Sequence, residues 1–586
     1  MEVSMMKQNR KTLTTLVFLS LLATGVSCST SAQTASDLPS YFDWRLTTPT
    51  DKNSSTTNAV VDAIRNQNPY GNCWSFGTLA GLESGINLKR QAAGLGPVER
   101  LSERYLSWLT FAQPLDGSGD GFYYGDYEPT EVKAIYDNGD FGYEPVSSLV
   151  RLGIAYNKDY PYVTDYNDET MAGVTSLAGN GTALHDCYGL QFIEVNKAGD
   201  GLYATTRLNK NINYFKTMLQ NYGVLTVSYY VPGTTRAEKA KKDICTTTYH
   251  GSDHAVSLVG WDDNYTMTTA DGVTHKGAWL MRNSWGLEKD GTKAGDQGYF
   301  YLSYDDVTAI PPCFYNAETD WGRYTAVDTV APGAWNIRFN TENKPLSGFY
   351  GVGSYKTAHK LTSSGSQFLK AVGLFVPADS MSYKVEVSLK GDTPANTSTI
   401  YTQSGTFGQD GTAIYKGYRT VDFDKYVYVP ADKPYFITVT LTGESGKTYN
   451  IPITWEQDKN LLAGTSFIYD KETGIWHDVQ LQDADEITQE LGLPLFALNK
   501  YSKEANGGDF TVVSLNNNGA GGSEIYLGKK DELYTTDLLH PVTTTADGTT
   551  RATRVPRYTL SNMTVELTKG LTDSVYGGVI SGEGSV

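Results

Sequence analysis

The feature that most constrains this chain is a change of texture near residue 320. Before it, Leu79, Leu82 and Ile86 recur at helical spacing within a proline-free run from Cys73 to Arg90, which predicts a helix. Two strand-like runs follow, Ala255 to Trp261 and Ala278 to Met281, separated by turn-prone Asp, Asn and Gly. After residue 320, short Tyr, Val, Ile and Thr runs alternate with Gly, Asp, Pro and Ser clusters: Phe368 to Val376, Tyr383 to Leu389, Tyr426 to Val429 and Tyr435 to Leu441. The two textures predict an α+β unit over residues 38–315 and an all-β sandwich over 320–500. Residues 505–586, rich in Gly, Asn and Thr, read as an extended β or poorly ordered tail. The tail stops without a terminating element, as a fragment of a longer chain would.

Charge removes two partner classes. The 586 residues carry 48 basic and 65 acidic side chains, a net charge of −17 without long like-charge runs, which argues against nucleic acid or an anionic membrane surface as partner. At the N-terminus, Lys7, Arg10 and Lys11 precede the apolar stretch Leu13 to Ala23, and small residues follow to Ala32. Residues 1–32 are therefore read as a secretory signal peptide, and the mature chain as exported. Cys28 is a candidate for a lipid anchor, the alternative being cleavage after Ala32. No later segment has the apolar length of a membrane span.

Beyond Cys28, the cysteines Cys73, Cys187, Cys245 and Cys313 are too few for a disulfide framework. Together with His185 and His250 they form no pair of short-spaced ligand motifs, so no metal and no cofactor is expected. Asp262-Asp263-Asn264 reads as a solvated turn.

Candidate chemistry concentrates in three stretches. In Asn66-Gln67-Asn68-Pro69-Tyr70-Gly71-Asn72-Cys73-Trp74-Ser75-Phe76, a cysteine opens the predicted helix, where the positive end of the macrodipole favours thiolate. Gln67, just upstream, could place a side-chain amide against a developing oxyanion. Ser252-Asp253-His254-Ala255-Val256 puts a histidine at the start of an apolar strand, and Met281-Arg282-Asn283-Ser284-Trp285-Gly286 puts an amide beside a tryptophan. A histidine takes a thiol proton, an asparagine orients the imidazole, and an indole excludes water.

Taken together these stretches resemble the papain-like cysteine peptidases. Further elements stand in family order: Leu38-Pro39-Ser40-Tyr41-Phe42-Asp43-Trp44-Arg45, Leu101-Ser102-Glu103, Asp159-Tyr160-Pro161-Tyr162 and Gly298-Tyr299-Phe300. The resemblance implies a papain-like fold, with a helical subdomain and a β-barrel-like subdomain, acting on polypeptide substrates. It implies Cys73 as nucleophile, His254 as acid/base, Asn283 as orienter, Gln67 as oxyanion donor, Trp285 as shield and Asp253 as support. Gly125-Asp126 stands where the family has its substrate-binding Gly-Gly. Tyr70 and Tyr123 occupy the positions of a disulfide usual in the family, which argues for a lineage without that bridge. The longer spacings from Cys73 to His254 and from His254 to Asn283 imply insertions, the second as a hairpin loop around Thr266 to His275.

The β half, from Lys370 to Val376 and from Gly464 through Trp476, resembles a lectin-like domain, which implies a glycan or cell-surface ligand or a packing role. The alternative reading of the whole chain is a surface-binding protein or adhesin on an inactive papain-like scaffold. Transfer of the acyl group to an amine instead of water is a third.

Overall fold

The computed structural model describes residues 38–111, 132–163, 211–233, 242–287, 298–318, 326–330, 350–408, 415–456, 463–479 and 490–500 apart from short internal gaps, with isolated strand segments over 177–188 and beyond 516. The proposed signal segment, Cys28, Tyr123, Gly125, Asp126 and most of the 505–586 tail lie outside the described residues.

The N-terminal half opens with a short strand, β1 (Tyr41–Asp43), and then α1 (Cys73–Ala92), α2 (Glu103–Phe111), α3 (Val132–Asp137) and α4 (Glu144–Leu152). The expected helix is present and starts at Cys73 itself. After β2 (Ala183–Tyr188) and α5 (Ile212–Tyr222) come β3 (Leu225–Tyr229), β4 (Asp243–Ile244), β5 (His254–Thr268), β6 (Thr274–Arg282), β7 (Tyr299–Ser303) and β8 (Ile310–Glu318). They form an open sheet in the order β8-β3-β5-β6-β7-β4, with β1 beside the far end of β5. The barrel-like expectation is corrected here: among the described residues β8 and β4, the two ends of this order, are not paired with each other, so the sheet stays open. The insertion between His254 and Asn283 is mostly strand; β5 and β6 extend to Thr268 and Thr274, leaving only a tight turn.

Close approach of α1 to this sheet depends on glycines at every fourth position. Gly77, Gly81 and Gly85 line one helix face, and a Cβ on them would lie 2.9 Å from Thr226 Cγ2, 3.0 Å from Tyr315 Cδ2 and 2.3 Å from the Tyr315 carbonyl oxygen. Thr226 seals the contact by donating from Oγ1 to the Gly77 carbonyl at 2.8 Å. The helix therefore lies directly on β3 and β8, which brings its first residue against β5.

The C-terminal half is a sandwich of two antiparallel sheets. One contains β9 (Ala326–Thr329), β11 (Gln367–Val376), β14 (Gly417–Val429) and β18 (Leu495–Lys500); the other contains β10 (Ser354–Thr362), β12 (Ser382–Leu389), β13 (Ser398–Thr406), β15 (Pro434–Thr442), β16 (Ser466–Asp470) and β17 (Ile475–Asp478). The first pairs in the order β9-β18-β11-β14, the second in the order β13-β12-β15-β10-β16-β17. Inward-facing Leu369, Val372, Val385, Val387, Ile437 and Val439 fill the space between them. The alternation of apolar residues in the sequence marks this core. Of the tail, Thr550–Thr553 pairs with β9 and Gly578–Ser581 with β14.

Among the described residues, the two halves share strand pairing and core. β8 pairs with β3 through Cys313 and with β2 through Phe314 to Glu318, and β2 in turn pairs with β14 at Cys187 and Tyr418. Phe375, Tyr418, Phe496 and Leu498 from the sandwich join the same buried cluster as Leu79, Leu149 and Tyr315. The prediction is that Gly85→Ala, which drives a methyl group into the Tyr315 carbonyl, lowers stability by roughly 2 kcal/mol even after alanine's helix preference is credited. Gly96→Ala, in open space, should be nearly neutral; urea denaturation of both variants checks this.

Candidate active site

Three elements deliver the three candidate side chains to one place. The start of α1 carries Cys73, the start of β5 carries His254, and the end of β6 leads into Asn283. Cys73 Sγ accepts a hydrogen bond from the Ala255 N–H at 3.3 Å, which sets the sulfur beside the histidine's own backbone. His254 Nε2 lies 2.8 Å from Asn283 Oδ1, and that oxygen also accepts the Ser284 N–H at 2.7 Å. The second bond fixes which amide atom faces the ring. Nε2 must then carry the proton, leaving Nδ1 as the basic nitrogen.

Packing holds this tautomer in place. Trp285 stacks on the imidazole with centroids 4.7 Å apart and planes at 25°, and Tyr229, opposite His254 in the β3–β5 ladder, lies 6.0 Å from it. His254 and Asn283 are only 5% and 3% exposed, so water does not compete for their bond. Asp253 accepts the Val231 N–H at 2.8 Å, tying the approach to β5 onto the segment after β3.

The N–H groups around the thiol do not bring it below its ordinary pKa. Burial pushes the Cys73 thiol up, and the N–H groups of Ala255, Trp74 and Cys73 act against it without overcoming it. Asp253 adds a further upward push. Forming a thiolate here requires a specific acceptor for the proton. Asn72, at the N-cap position, makes no side-chain cap; it instead bonds Ser107 through Nδ2 at 3.2 Å.

Gln67 is held from four sides. Its N–H donates to the Ser284 carbonyl at 2.7 Å, and its Oε1 accepts the Ser284 hydroxyl at 2.6 Å. Its Nε2 donates one proton to the Tyr70 carbonyl at 3.0 Å, and its own carbonyl accepts the Tyr70 N–H at 3.1 Å. Since Oε1 is engaged by a donor, Nε2 is the donor end of the amide. Ser284 thus joins the Asn283 and Gln67 positions, a role that sequence reasoning missed. The signal was present only as a hydroxyl next to Asn283, and nothing along the chain pairs it with Gln67.

Beneath the site lies a buried charge cluster. Arg65 is 6% exposed and donates from Nε to Asp62 at 2.7 Å, from Nη2 to Glu83 at 2.5 Å and from Nη1 to Glu103 at 2.5 Å. Arg282, the residue before Asn283, donates to Asp62 and to the Ala63 carbonyl. Glu83 also accepts the Leu101 N–H at 2.6 Å. Burial disfavours the Arg65 charge, but Glu103, Glu83 and Asp62 override it and leave its pKa well above the usual arginine value. Burial likewise pushes the Glu83 carboxyl up to about 7.

Gly125 and Asp126 lie outside the described residues, so the structure does not place them at the cleft. Among the described residues, Cys73, Cys245 and Cys313 form no disulfide with one another. Among the described residues no group of three or more His, Cys, Asp or Glu side chains could hold a metal ion, and no helix is long and apolar enough to cross a membrane.

With this geometry in hand, similarity to known proteins becomes informative. Residues 138–311, which include His254 and Asn283, match the papain family cysteine protease model, and residues 347–488 match the lectin-like domain model. A cysteine protease of Blomia tropicalis is 25% identical over 277 residues, covering 46% of this chain and 62% of that protein. A viral cathepsin of Cydia pomonella granulosis virus is 26% identical over 268 residues, covering 46% of this chain and 58% of that protein. The chain thus spans only about six-tenths of these curated relatives. In fold, the structure is similar to the clostridial cysteine protease Cwp84 after propeptide cleavage, with TM-score 0.50, 18% identity, and coverage of 76% of this chain and 97% of that one. It is equally similar to the cysteine protease and lectin-like domains of Cwp84, described as a surface layer associated protein of Clostridium difficile, with TM-score 0.50, 19% identity, and coverage of 76% and 87%. The chain carries a papain-family domain followed by a lectin-like domain.

Two outcomes test the charge cluster. Arg65→Met strands Glu83 and Glu103 without their cation and should cost roughly 3–5 kcal/mol in urea denaturation. For Glu83, the folded pKa lies above the ordinary 4.5, so the folded state keeps a proton that the unfolded chain releases. Its contribution to stability is full below about 4.5 and falls as pH rises to about 7. Glu83→Gln should flatten the stability profile in that window.

Proposed function

We propose that this chain is an exported cysteine endopeptidase that hydrolyses peptide bonds through Cys73, His254, Asn283 and Gln67. The observation that carries the reading is the Asn283–His254 bond, which leaves Nδ1 basic next to a cysteine at a helix start. In the proposed mechanism His254 Nδ1 takes the Cys73 thiol proton, and the thiolate attacks the scissile carbonyl carbon. The carbonyl electron pair moves onto oxygen, where Gln67 Nε2 and the Cys73 N–H receive it. Collapse breaks the C–N bond, and His254 gives its proton to the leaving amine. A water molecule, deprotonated by His254, then attacks the thioester, and a second collapse releases the acid and restores Cys73. Trp285 supports the cycle by keeping water from the imidazole–amide bond, and Asp253 by anchoring the start of β5. Gly125 and Asp126 are proposed substrate contacts at the cleft edge.

Export is inferred from the N-terminal segment, with Cys28 as a candidate lipid attachment point, and a glycan or cell-surface ligand is proposed for the lectin-like domain. The His254–Asn283 bond beside Cys73 favours catalysis over the scaffold reading, since a scaffold requires no tautomer control at His254.

The test pairs labelling with turnover under reducing conditions. An epoxide directed at papain-like thiols should modify Cys73 in the parent chain, as read by peptide mass spectrometry, and abolish cleavage of an unfolded protein substrate. Cys73→Ala should fold, escape labelling and lose turnover; cleavage at the parent rate would sink the assignment. Gln67→Ala should lower kcat by about 100-fold.

A further inference from the structure

Two sequence motifs find no place in the chemistry above: Leu101-Ser102-Glu103 and Asp159-Tyr160-Pro161-Tyr162. Neither contributes a reacting group, yet the structure joins them to each other and to the loop between Gln67 and Cys73. Ser102 begins α2, accepting the Tyr105 N–H at 3.0 Å, and its hydroxyl donates to the Tyr160 carbonyl at 2.5 Å. Leu101 bridges Tyr156, the Ser102 N–H donates to the Ala155 carbonyl at 3.0 Å, and Asn157 Oδ1 accepts the Tyr162 N–H at 3.3 Å. The backbone leading into Tyr162 is thereby held against the start of α2.

From this anchored position the Tyr162 side chain reaches back to the catalytic loop. Its hydroxyl lies 2.6 Å from the Gln67 carbonyl oxygen and 3.0 Å from Asn72 Oδ1, with the ring edge-on to Phe76 of α1. Both oxygens are acceptors, so the single phenolic proton is shared between them. Burial holds the hydroxyl well above the usual tyrosine range, so it remains a donor at any working pH. Gln67 and Asn72 are the two ends of the loop: one residue bears the side-chain oxyanion donor, the other directly precedes the nucleophile and its backbone donor. A rigid phenol spanning them fixes the distance between the two donors.

We propose that Tyr162 is a positioning residue of the oxyanion hole, its hydroxyl clamping the Gln67 carbonyl to Asn72 so that the Gln67 and Cys73 donors converge on one oxygen. This rests on the peptidase reading. Tyr162 does not touch the substrate carbonyl; it acts through Gln67. Removing the hydroxyl leaves Asn72 tethered to Ser107 through Nδ2, so the helix start stays in place while the Gln67 end of the loop loosens.

The test is a double-mutant cycle on the full chain with two readouts, turnover of a peptide amide and alkylation of Cys73 by iodoacetate. Alkylation uses the thiolate but develops no oxyanion. Tyr162→Phe should lower kcat about tenfold, less than removal of a donor outright, with KM within about twofold and the alkylation rate unchanged. In a Gln67→Ala background the same substitution should have little further effect, because the donor it positions is already gone. Equal losses in both backgrounds, parallel loss of alkylation and turnover, parent-like kcat, or a variant that does not fold would each overturn the proposal. A parent chain that neither cleaves nor alkylates at Cys73 would instead overturn the peptidase reading itself.

Discussion

The buried guanidinium of Arg65 is the interaction on which the site's geometry rests. It sits where four chain segments meet: the loop leading to Gln67, α1 through Glu83, α2 through Glu103, and the strand before Asn283 through Asp62 and Arg282. In a dry interior, each of these charges is tolerable only while its partners keep their distances, so the cluster tolerates little relative motion. Gln67, the helix bearing Cys73 and the Asn283 that bonds the imidazole are thus referred to one cation. Apolar packing alone would leave those segments free to slide by fractions of an ångström that acyl transfer does not tolerate.

Around that cluster, the site is assembled from surfaces that meet only once the sheet has formed. The glycine face of α1 lets the helix descend onto Thr226 and Tyr315, and the resulting closeness puts Cys73 against the Ala255 N–H. Tyr315 belongs to β8, the strand that passes from the peptidase-like sheet to the sheet of the sandwich. The sandwich therefore continues the same hydrogen-bonded and apolar network that supports α1, with Phe375, Tyr418 and Phe496 packed into it. Such sharing couples the fate of the helical half to that of the lectin-like domain, whatever the latter binds.

Much of this was legible along the chain. The helical spacing of Leu79, Leu82 and Ile86 marked α1, and the apolar runs at Ala255 and Ala278 marked the hairpin that carries His254 and leads to Asn283. In the C-terminal half, strand alternation anticipated β11, β12 and β15 to within a residue or two, because each strand buries one face and the period of two survives in the sequence. β14 was anticipated only at its end, although Val421 and Phe423 alternate with Asp422 and Asp424 in the part that was missed. The open sheet ran against the barrel expectation because closure depends on which edges find partners, which no single strand encodes. The Gly77, Gly81 and Gly85 face also passed unnoticed, since a glycine's value lies in what approaches it.

Sequence by itself determined the chemical identities: a thiol opening a helix, an imidazole opening a strand, an amide beside an indole, and the order in which they occur. Those are local properties, set by spacing and side-chain type. Tertiary structure alone decided how they act. The tautomer of His254 follows from the two bonds made at Asn283 Oδ1, the orientation of the Gln67 amide from a serine hydroxyl 217 residues away, and the raised thiol of Cys73 from burial that the neighbouring N–H groups do not overcome. Each depends on a distance between residues far apart in the chain, and hydrogen-bond direction and desolvation are functions of distance in space, not of position in sequence.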